Sequence, residues 1–191
     1  MTFPGESDGR GNTAATSPHG EPVRVLDGLA SGRESDAAAL VFEYMAATEA
    51  EAGRRVPAGI SQLPPVLRLE CENLAVVYAS PGALLVACQA GRPAGCVGLA
   101  SLPEAGTAEV KRLYVRPWFR RAGIGRLLMA HLHQQAAQRR FARLMLDVMP
   151  ARTGVIDFYR RLGYEECDPF RTESRIPMIS MQRRVADPPR H

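Results

Sequence analysis

The stretch that most constrains this chain runs from Glu109 to Gly125 and reads EVKRLYVRPWFRRAGIG. Valine, leucine and tyrosine in its first half favour a β-strand, and Pro117 ends strand pairing because proline has no N–H to donate. The apolar residues that follow recur at helical spacing: Ile124, Leu127, Leu128 and Leu132. The stretch therefore predicts a strand, a short basic turn and a helix that begins near Gly123.

The glycines at the start of this helix predict an anion site. Gly123 and Gly125 leave backbone N–H groups exposed, and arginines surround them at positions 120, 121 and 126. A phosphate or pyrophosphate suits such a site best. The loop of nucleoside-triphosphate-binding proteins is excluded because it ends in Gly-Lys-Ser/Thr, whereas Arg126 follows Gly125 here. A dinucleotide fingerprint is excluded because its third glycine would fall at Leu128.

The remaining match is to an acyl-CoA signature. Arg120-x-x-Gly123-x-Gly125 resembles the Gln/Arg-x-x-Gly-x-Gly/Ala motif of the GNAT superfamily of N-acetyltransferases, and the segment DFYRRLGY at 157–164 resembles its second signature. The resemblance covers roughly residues 84–185, with a weaker trace from Val23. It implies an α/β (α+β) fold of the GNAT type, with a mixed central sheet of about six to seven strands flanked by about four helices.

The resemblance also implies acetyl-CoA as the co-substrate. The helix N-terminus would hold the pyrophosphate, and the strand ending at Val115 would bind the pantetheine arm through its main chain. In the family this strand carries a bulge and parts from the next parallel strand, and an N–H at the bulge, here that of Leu113 or Tyr114, polarises the thioester carbonyl. Arg152 stands where many relatives have an asparagine, and it could reach a phosphate instead. The cofactor-binding candidates are Leu113, Tyr114, Val115, Arg120, Arg121, Ala122, Gly123, Ile124, Gly125, Arg126 and Arg152.

Two residues are candidates for catalysis. Glu109 matches the position of a catalytic glutamate in the histone-acetylating branch of the superfamily, so we expect it to be the general base. The alternative is a structural or substrate-binding carboxylate paired with Lys111 or Arg112. Tyr159 matches the family tyrosine that protonates the departing CoA thiolate, and its alternative is a core tyrosine with a bonded hydroxyl. An alkylamine has a pKa near 10.4, so a carboxylate base needs a raised pKa or a water relay.

Composition limits the other classes of function. The chain has 191 residues and a net charge of +4, which predicts one domain, and phosphate ligands account for part of that charge. We predict a disordered tail at 1–22, the acetyltransferase domain at 23–185 and a C-terminal tail at 186–191. No apolar run is long enough to span a membrane, and no nucleic-acid motif or secretory signal is found. The cysteines lack metal-ligand spacing, so we expect reduced thiols in a cytoplasmic protein without a metal site.

The order of elements predicts hairpins first and helical crossovers later. The expected strands are 23–26, 83–90, 94–101, 108–115, 142–148, 164–167 and 177–184, and the expected helices are 35–52, 61–74, 123–138 and 152–162. We expect Cys88 and Cys96 to face each other across the hairpin that turns at 91–93. We also expect a half-buried His131, a solvated Glu104, and a loop before the last strand that shapes the acceptor pocket through Arg171, Glu173 and Arg175.

These features predict an acetyl-CoA-dependent N-acetyltransferase. It would acetylate a primary amine of a small molecule or a protein by direct transfer in a ternary complex, because no residue is poised to carry the acetyl group. The alternative is a non-catalytic acyl-CoA-binding sensor or interaction module. A basic nucleic-acid-binding domain is a further alternative, and it would bind DNA or RNA with a salt-dependent affinity. A homodimer is expected by analogy alone.

Overall fold

The computed structural model describes residues 21–30, 32–171 and 177–185. The predicted tails at 1–22 and 186–191 therefore lie outside the described residues, apart from Glu21 and Pro22, and their disorder stays a prediction. Glu173 and Arg175, which are predicted to shape the acceptor pocket, lie outside them as well.

The centre of the fold is a seven-stranded mixed sheet with the order β1-β2-β3-β4-β5-β7-β6. Neighbouring strands are antiparallel apart from the parallel pair β4–β5. The mixed sheet predicted from the order of hairpins and crossovers is confirmed. The strands are β1 (Arg24–Asp27), β2 (Ala83–Gln89), β3 (Arg92–Ser101), β4 (Thr107–Val115), β5 (Arg143–Val148), β6 (Glu165–Glu166) and β7 (Ile179–Arg184).

Five α-helices cover the sheet within the described ranges, one more than the sequence predicts. They are α1 (Glu34–Glu51), α2 (Pro65–Glu72), α3 (Leu74–Val77), α4 (Ile124–Gln138) and α5 (Thr153–Arg161). The difference lies in the single helix expected over 61–74. Pro65 occupies the first turn of α2, so the helix begins there, and Asn73 breaks it because its φ of −132° is not helical. No helix in the described ranges is both long and apolar enough to cross a membrane.

The hairpin between β2 and β3 turns tightly at Ala90 and Gly91. Both residues have positive φ, 50° and 71°, as a two-residue turn of the primed type requires. The predicted facing of Cys88 and Cys96 across this hairpin is wrong, because the register places Cys96 opposite Val86. The four cysteines are free thiols.

Two apolar clusters lie on opposite faces of the sheet. Alternation along β2 separates them, since Leu85 belongs to one and Leu84 to the other. The first cluster packs α4 and α5 on the sheet, through residues such as Leu128 and Ile156. The second packs the helices before β2, with Leu40 of α1 and Leu74 of α3 among its members. The ends of β4 thus stand between two packed layers.

Candidate active site

The strands β4 and β5 separate where the sheet changes direction. Their parallel pairing joins 107–109 to 143–145 and ends at Glu109 opposite Met145. Beyond that point β4 continues against β3 as far as Val115, while β5 continues against β7 as far as Val148. The result is a gap between two neighbouring strands, as the family resemblance implies, with unpaired backbone edges available to a ligand.

A bulge lies in β4 beside this gap. Lys111 pairs with Gly98 of β3 and Tyr114 pairs with Cys96, so one extra residue is inserted on the β4 side. Arg112 takes up the distortion with a φ of 57°, which is rare for a residue other than glycine. Leu113 packs on the cluster under α4, and Tyr114 packs on the opposite cluster. The bulge therefore falls where the sequence places the N–H of Leu113 or Tyr114.

The glycine turn forms the N-terminus of α4. Arg121 and Gly123 both have positive φ, 65° and 76°, and Gly123 stands immediately before the first helical residue. The N–H of Leu127 donates to the Gly123 carbonyl at 3.0 Å, so the N–H groups of 124–126 precede the first turn's bonds and point outward. Arg120 donates from Nε to the Val115 carbonyl at 3.0 Å. The turn is thereby fixed to the end of β4.

The environment of Gly125 gives no packing reason for a glycine. A Cβ added there would meet Phe158 and Val115 at 3.9 Å, which is ordinary van der Waals contact. Arg121 and Arg126 are exposed at the same helix end, whereas Ala122 is half-buried. An anion that approaches the backbone closely would account for the missing side chain.

Glu109 lies at the last paired position of β4 and is 6% exposed. Lys111 Nζ is 3.9 Å from its carboxylate, and the Arg171 guanidinium donates to it. Burial raises the pKa of Glu109 above its ordinary value against the opposing charges of Lys111 and Arg171, and nearby Asp147 raises it further. A buried carboxylate with a raised pKa is the kind that serves as a general base near neutral pH.

Asp147 and Ser180 complete this group, and the sequence analysis missed both. Because Glu109 pairs with Met145, alternation places Asp147 on the same face of the sheet. Ser180 donates to Asp147 from Oγ at 2.6 Å, and Arg171 Nε lies 3.9 Å from the other carboxylate oxygen. The lone acid among the apolar residues at 144–148 was the available signal, but it does not say which face the residue occupies.

Tyr159 lies on α5 and is 7% exposed. Its ring packs edge-on against Tyr164 with centroids 5.5 Å apart. Burial raises the pKa of its phenol well above the ordinary value, the hydroxyl of Tyr44 adds to this, and the charge of Arg152 opposes it. A phenol in this state stays protonated, so it can donate a proton but cannot act as a base.

The structure places Arg152 against α1. Its Nε is 2.6 Å from Glu51, its Nη2 donates to Thr48 at 3.0 Å, and its guanidinium lies over the Tyr44 ring. Its contact with a phosphate stays a prediction, and these bonds would have to rearrange for it.

Two histidines lie on α4, and both are half-buried. The half-burial of His131 is what the helical register predicts. Its neighbour His133 approaches the Tyr164 hydroxyl at 3.0 Å. Burial and the charge of Arg183 lower the pKa of His133 to about 4, so it is neutral at physiological pH. Glu104 pairs with Arg143 at the surface.

Across the described ranges no group of three His, Cys, Asp or Glu side chains is placed to hold a metal ion.

A gap between parallel strands, a bulge on one of them and a glycine-led helix N-terminus define an acyl-CoA-type transferase fold. The model of the acetyltransferase (GNAT) family matches residues 53–164, and the chain belongs to this family. The predicted family and fold class are confirmed.

The comparisons with individual proteins agree with this assignment. IAA acetyltransferase of Azospirillum brasilense is 34% identical over 86 residues, which is 45% of this chain and 56% of that protein. A GNAT-family acetyltransferase of Staphylococcus aureus superposes with a TM-score of 0.68 at 14% identity, over 86% of this chain and 99% of the other. A phosphinothricin acetyltransferase of Sinorhizobium meliloti, solved in complex with AcCoA, superposes with a TM-score of 0.61 at 18% identity, over 85% and 88%. The chain spans between 29% and 58% of the length of the curated relatives it matches.

Proposed function

We propose that this protein transfers the acetyl group of acetyl-CoA to a primary amine, by direct transfer in a ternary complex. The observation that carries the proposal is the gap between β4 and β5, which has the glycine turn after one of its strands and Glu109 at its closed end. One element can thus bind a pyrophosphate while another presents a base. The complex of the Sinorhizobium meliloti relative with AcCoA supports the choice of co-substrate.

The backbone and the glycine turn would bind and orient the co-substrate. Acetyl-CoA supplies an acetyl group activated as a thioester. The outward N–H groups of 124–126, with the exposed Arg121 and Arg126, would hold its pyrophosphate. Each hydrogen bond to a charged group is worth about 1.5–3 kcal/mol. The N–H at the bulge, from Leu113 or Tyr114, would stabilise the negative charge that develops on the thioester oxygen.

Two side chains would then move protons. Glu109 would accept a proton from the acceptor's ammonium, directly or through water, so that the amine can form its bond to the acetyl carbon. Tyr159 would protonate the thiolate sulfur as the carbon–sulfur bond breaks, and the second proton that the amine nitrogen loses would restore the phenol, so that the products are the amide and the free thiol. The raised pKa makes the Glu109 carboxylate a stronger base. The Tyr159 phenol is protonated, as a proton donor must be, but the burial that raises its pKa also makes it a weaker acid.

The acceptor would be a small-molecule or protein amine that arrives as a cation. The carboxylates of Glu109 and Asp147 lie on one face of the sheet, and the Arg171 guanidinium already bridges them. The same two carboxylates would attract the ammonium ion of an acceptor. A cytoplasmic location and a homodimer remain parts of this proposal, and light scattering of the purified protein tests the second.

The proposal is tested by calorimetric titration with acetyl-CoA and with free CoA, followed by a panel of amines assayed by thiol release. We expect micromolar binding, amine-dependent release, and losses in kcat of about 100-fold or more in Glu109→Gln and Tyr159→Phe. Binding without release on any amine would favour the alternative, a non-catalytic acyl-CoA sensor. Binding of neither ligand by the folded protein would refute the proposal, and salt-dependent affinity for nucleic acid would then become the hypothesis to examine.

A further inference from the structure

A buried carboxylate that this mechanism does not use lies beneath the bulge. Glu70 belongs to α2 and is 7% exposed. It accepts hydrogen bonds from the Tyr78 hydroxyl at 2.8 Å, from Arg112 Nε and Nη2 at 2.9 and 2.7 Å, and from Lys111 Nζ at 3.1 Å. We call these four residues the Glu70 cluster. Both oxygens of the carboxylate are occupied by donors from two different parts of the fold.

The geometry of the cluster depends on the bulge. Lys111 and Arg112 are consecutive in β4, and in a regular strand their side chains would point to opposite faces of the sheet. Both nevertheless reach the same carboxylate, because the positive φ of Arg112 turns its side chain toward the face of Lys111. The double contact of Lys111 and Arg112 with Glu70 therefore requires the bulge.

Strand β3 also contacts the Glu70 cluster, through Gly98 and Cys96. The Tyr78 ring lies against Gly98, where an added Cβ would be only 2.2 Å from the ring, and Tyr78 is 1% exposed. The Arg112 carbonyl is also held, since Cys96 Sγ donates to it at 3.3 Å. Contacts on both sides of Arg112 thus leave its backbone little freedom to return to a regular strand.

We infer that Glu70 and Arg112 are positioning residues, whose ion pair holds the β4 bulge and so orients the N–H at the bulge, that of Leu113 or Tyr114, toward the thioester oxygen. The inference rests on the proposed acetyl transfer. Residues at the bulge would act on the transition state, whereas the pyrophosphate would bind at the N-terminus of α4, outside the cluster. Loss of the ion pair should therefore lower kcat by a larger factor than it lowers the affinity for acetyl-CoA.

The test compares Glu70→Gln with a matched control, Glu49→Gln. Glu49 is also buried, at 4% exposure, and it pairs with Arg54 through two hydrogen bonds of 2.7 and 2.8 Å, but it lies on α1. Glu70→Gln is expected to lower kcat about 10- to 100-fold, since a misplaced oxyanion donor costs up to about as much as a deleted one. Its Kd for acetyl-CoA should stay within about threefold, and Glu49→Gln should keep kcat within about twofold.

A second readout does not need activity. In ¹⁵N-labelled protein, Glu70→Gln should move the backbone amide signals of Leu113 and Tyr114, and Glu49→Gln should leave them in place. If Glu70→Gln does not fold, Tyr78→Phe removes one donor of the cluster, keeps the ring on Gly98, and should change kcat and the signal in the same direction. An unchanged kcat in folded Glu70→Gln, equal losses in both variants, or unmoved signals of both Leu113 and Tyr114 would overturn the inference. Wild-type protein that releases no thiol would instead refute the proposed transfer.

Discussion

Replacement of Gly125 by alanine separates the stability of this protein from its affinity for acetyl-CoA. The residue lies in the first turn of α4, and its backbone is helical. A Cβ would have Phe158 and Val115 as neighbours at 3.9 Å, so alanine fits without displacing any atom. Nothing within the folded chain therefore opposes the substitution.

The substitution is expected to raise the stability of the fold and to lower the affinity for acetyl-CoA. Alanine in place of glycine in a helix gains about 0.5–1 kcal/mol, which raises Tm by about 1–4 °C in a chain of this size. The added methyl group would stand between the helix N-terminus and the pyrophosphate, and losing one hydrogen bond to a charged group costs about 1.5–3 kcal/mol. Since each 1.4 kcal/mol is tenfold, the Kd for acetyl-CoA should rise about 10- to 100-fold.

Thermal unfolding followed by circular dichroism and calorimetric titration with acetyl-CoA measure the two effects. Gly59→Ala is the control for affinity, because Gly59 has extended backbone, φ −169°, with open space around it, so alanine fits there and the Kd for acetyl-CoA should not change. Wild-type affinity in a folded Gly125→Ala variant would show that the glycine does not face the ligand. A lower Tm would show that the helix start is more constrained than its neighbours indicate.

Two further predictions concern stability. Gly98→Ala should destabilise the fold by about 1–3 kcal/mol or more, because the new Cβ would lie 2.2 Å from the buried Tyr78 ring; an unchanged urea midpoint would contradict this. The second concerns Glu70, where burial would raise the pKa but the bonds and charges of Arg112 and Lys111, with the Tyr78 hydroxyl, lower it from 4.5 to about 2. The unfolded chain then binds the proton first as the pH falls, so about 3 kcal/mol of stabilisation, complete above about pH 4.5, is lost by about pH 2. Acid unfolding of the wild type and of Glu70→Gln measures this loss. If the free energy of unfolding falls equally steeply with pH in both proteins, the lowered pKa of Glu70 is refuted.

The glycine turn and its flanking strand could be predicted because their chemistry is local. Proline, paired glycines and an apolar stripe fix a strand end and a helix start within a few residues, and β4 and α4 begin and end within one residue of the predicted bounds. The division of the second helix was missed because it depends on the backbone of Asn73, a residue that helices tolerate.

The supporting residues of the site could not be predicted from sequence, because strand register decides them. Glu70 and Arg112 are 42 residues apart in the chain, and only the packing of α2 on the bulge brings them together. Asp147 faces Glu109 because β4 and β5 pair at one particular register. A shift of one residue would turn Asp147 to the other face, and no local pattern specifies the register.

The two clusters on opposite faces of the sheet give the glycine turn and Glu109 separate packing neighbours. The turn before α4 rests on one cluster, through Ile124, whereas Glu109 pairs with Ala100 of the other. Free energies of substitutions at distant sites that share no partners add, so we expect changes beneath α1 and α2 to have little effect on the packing beneath the glycine turn. Under the proposed acetyl transfer, a change of acceptor would then require repacking of one layer, while the layer that supports the glycine turn stays as it is.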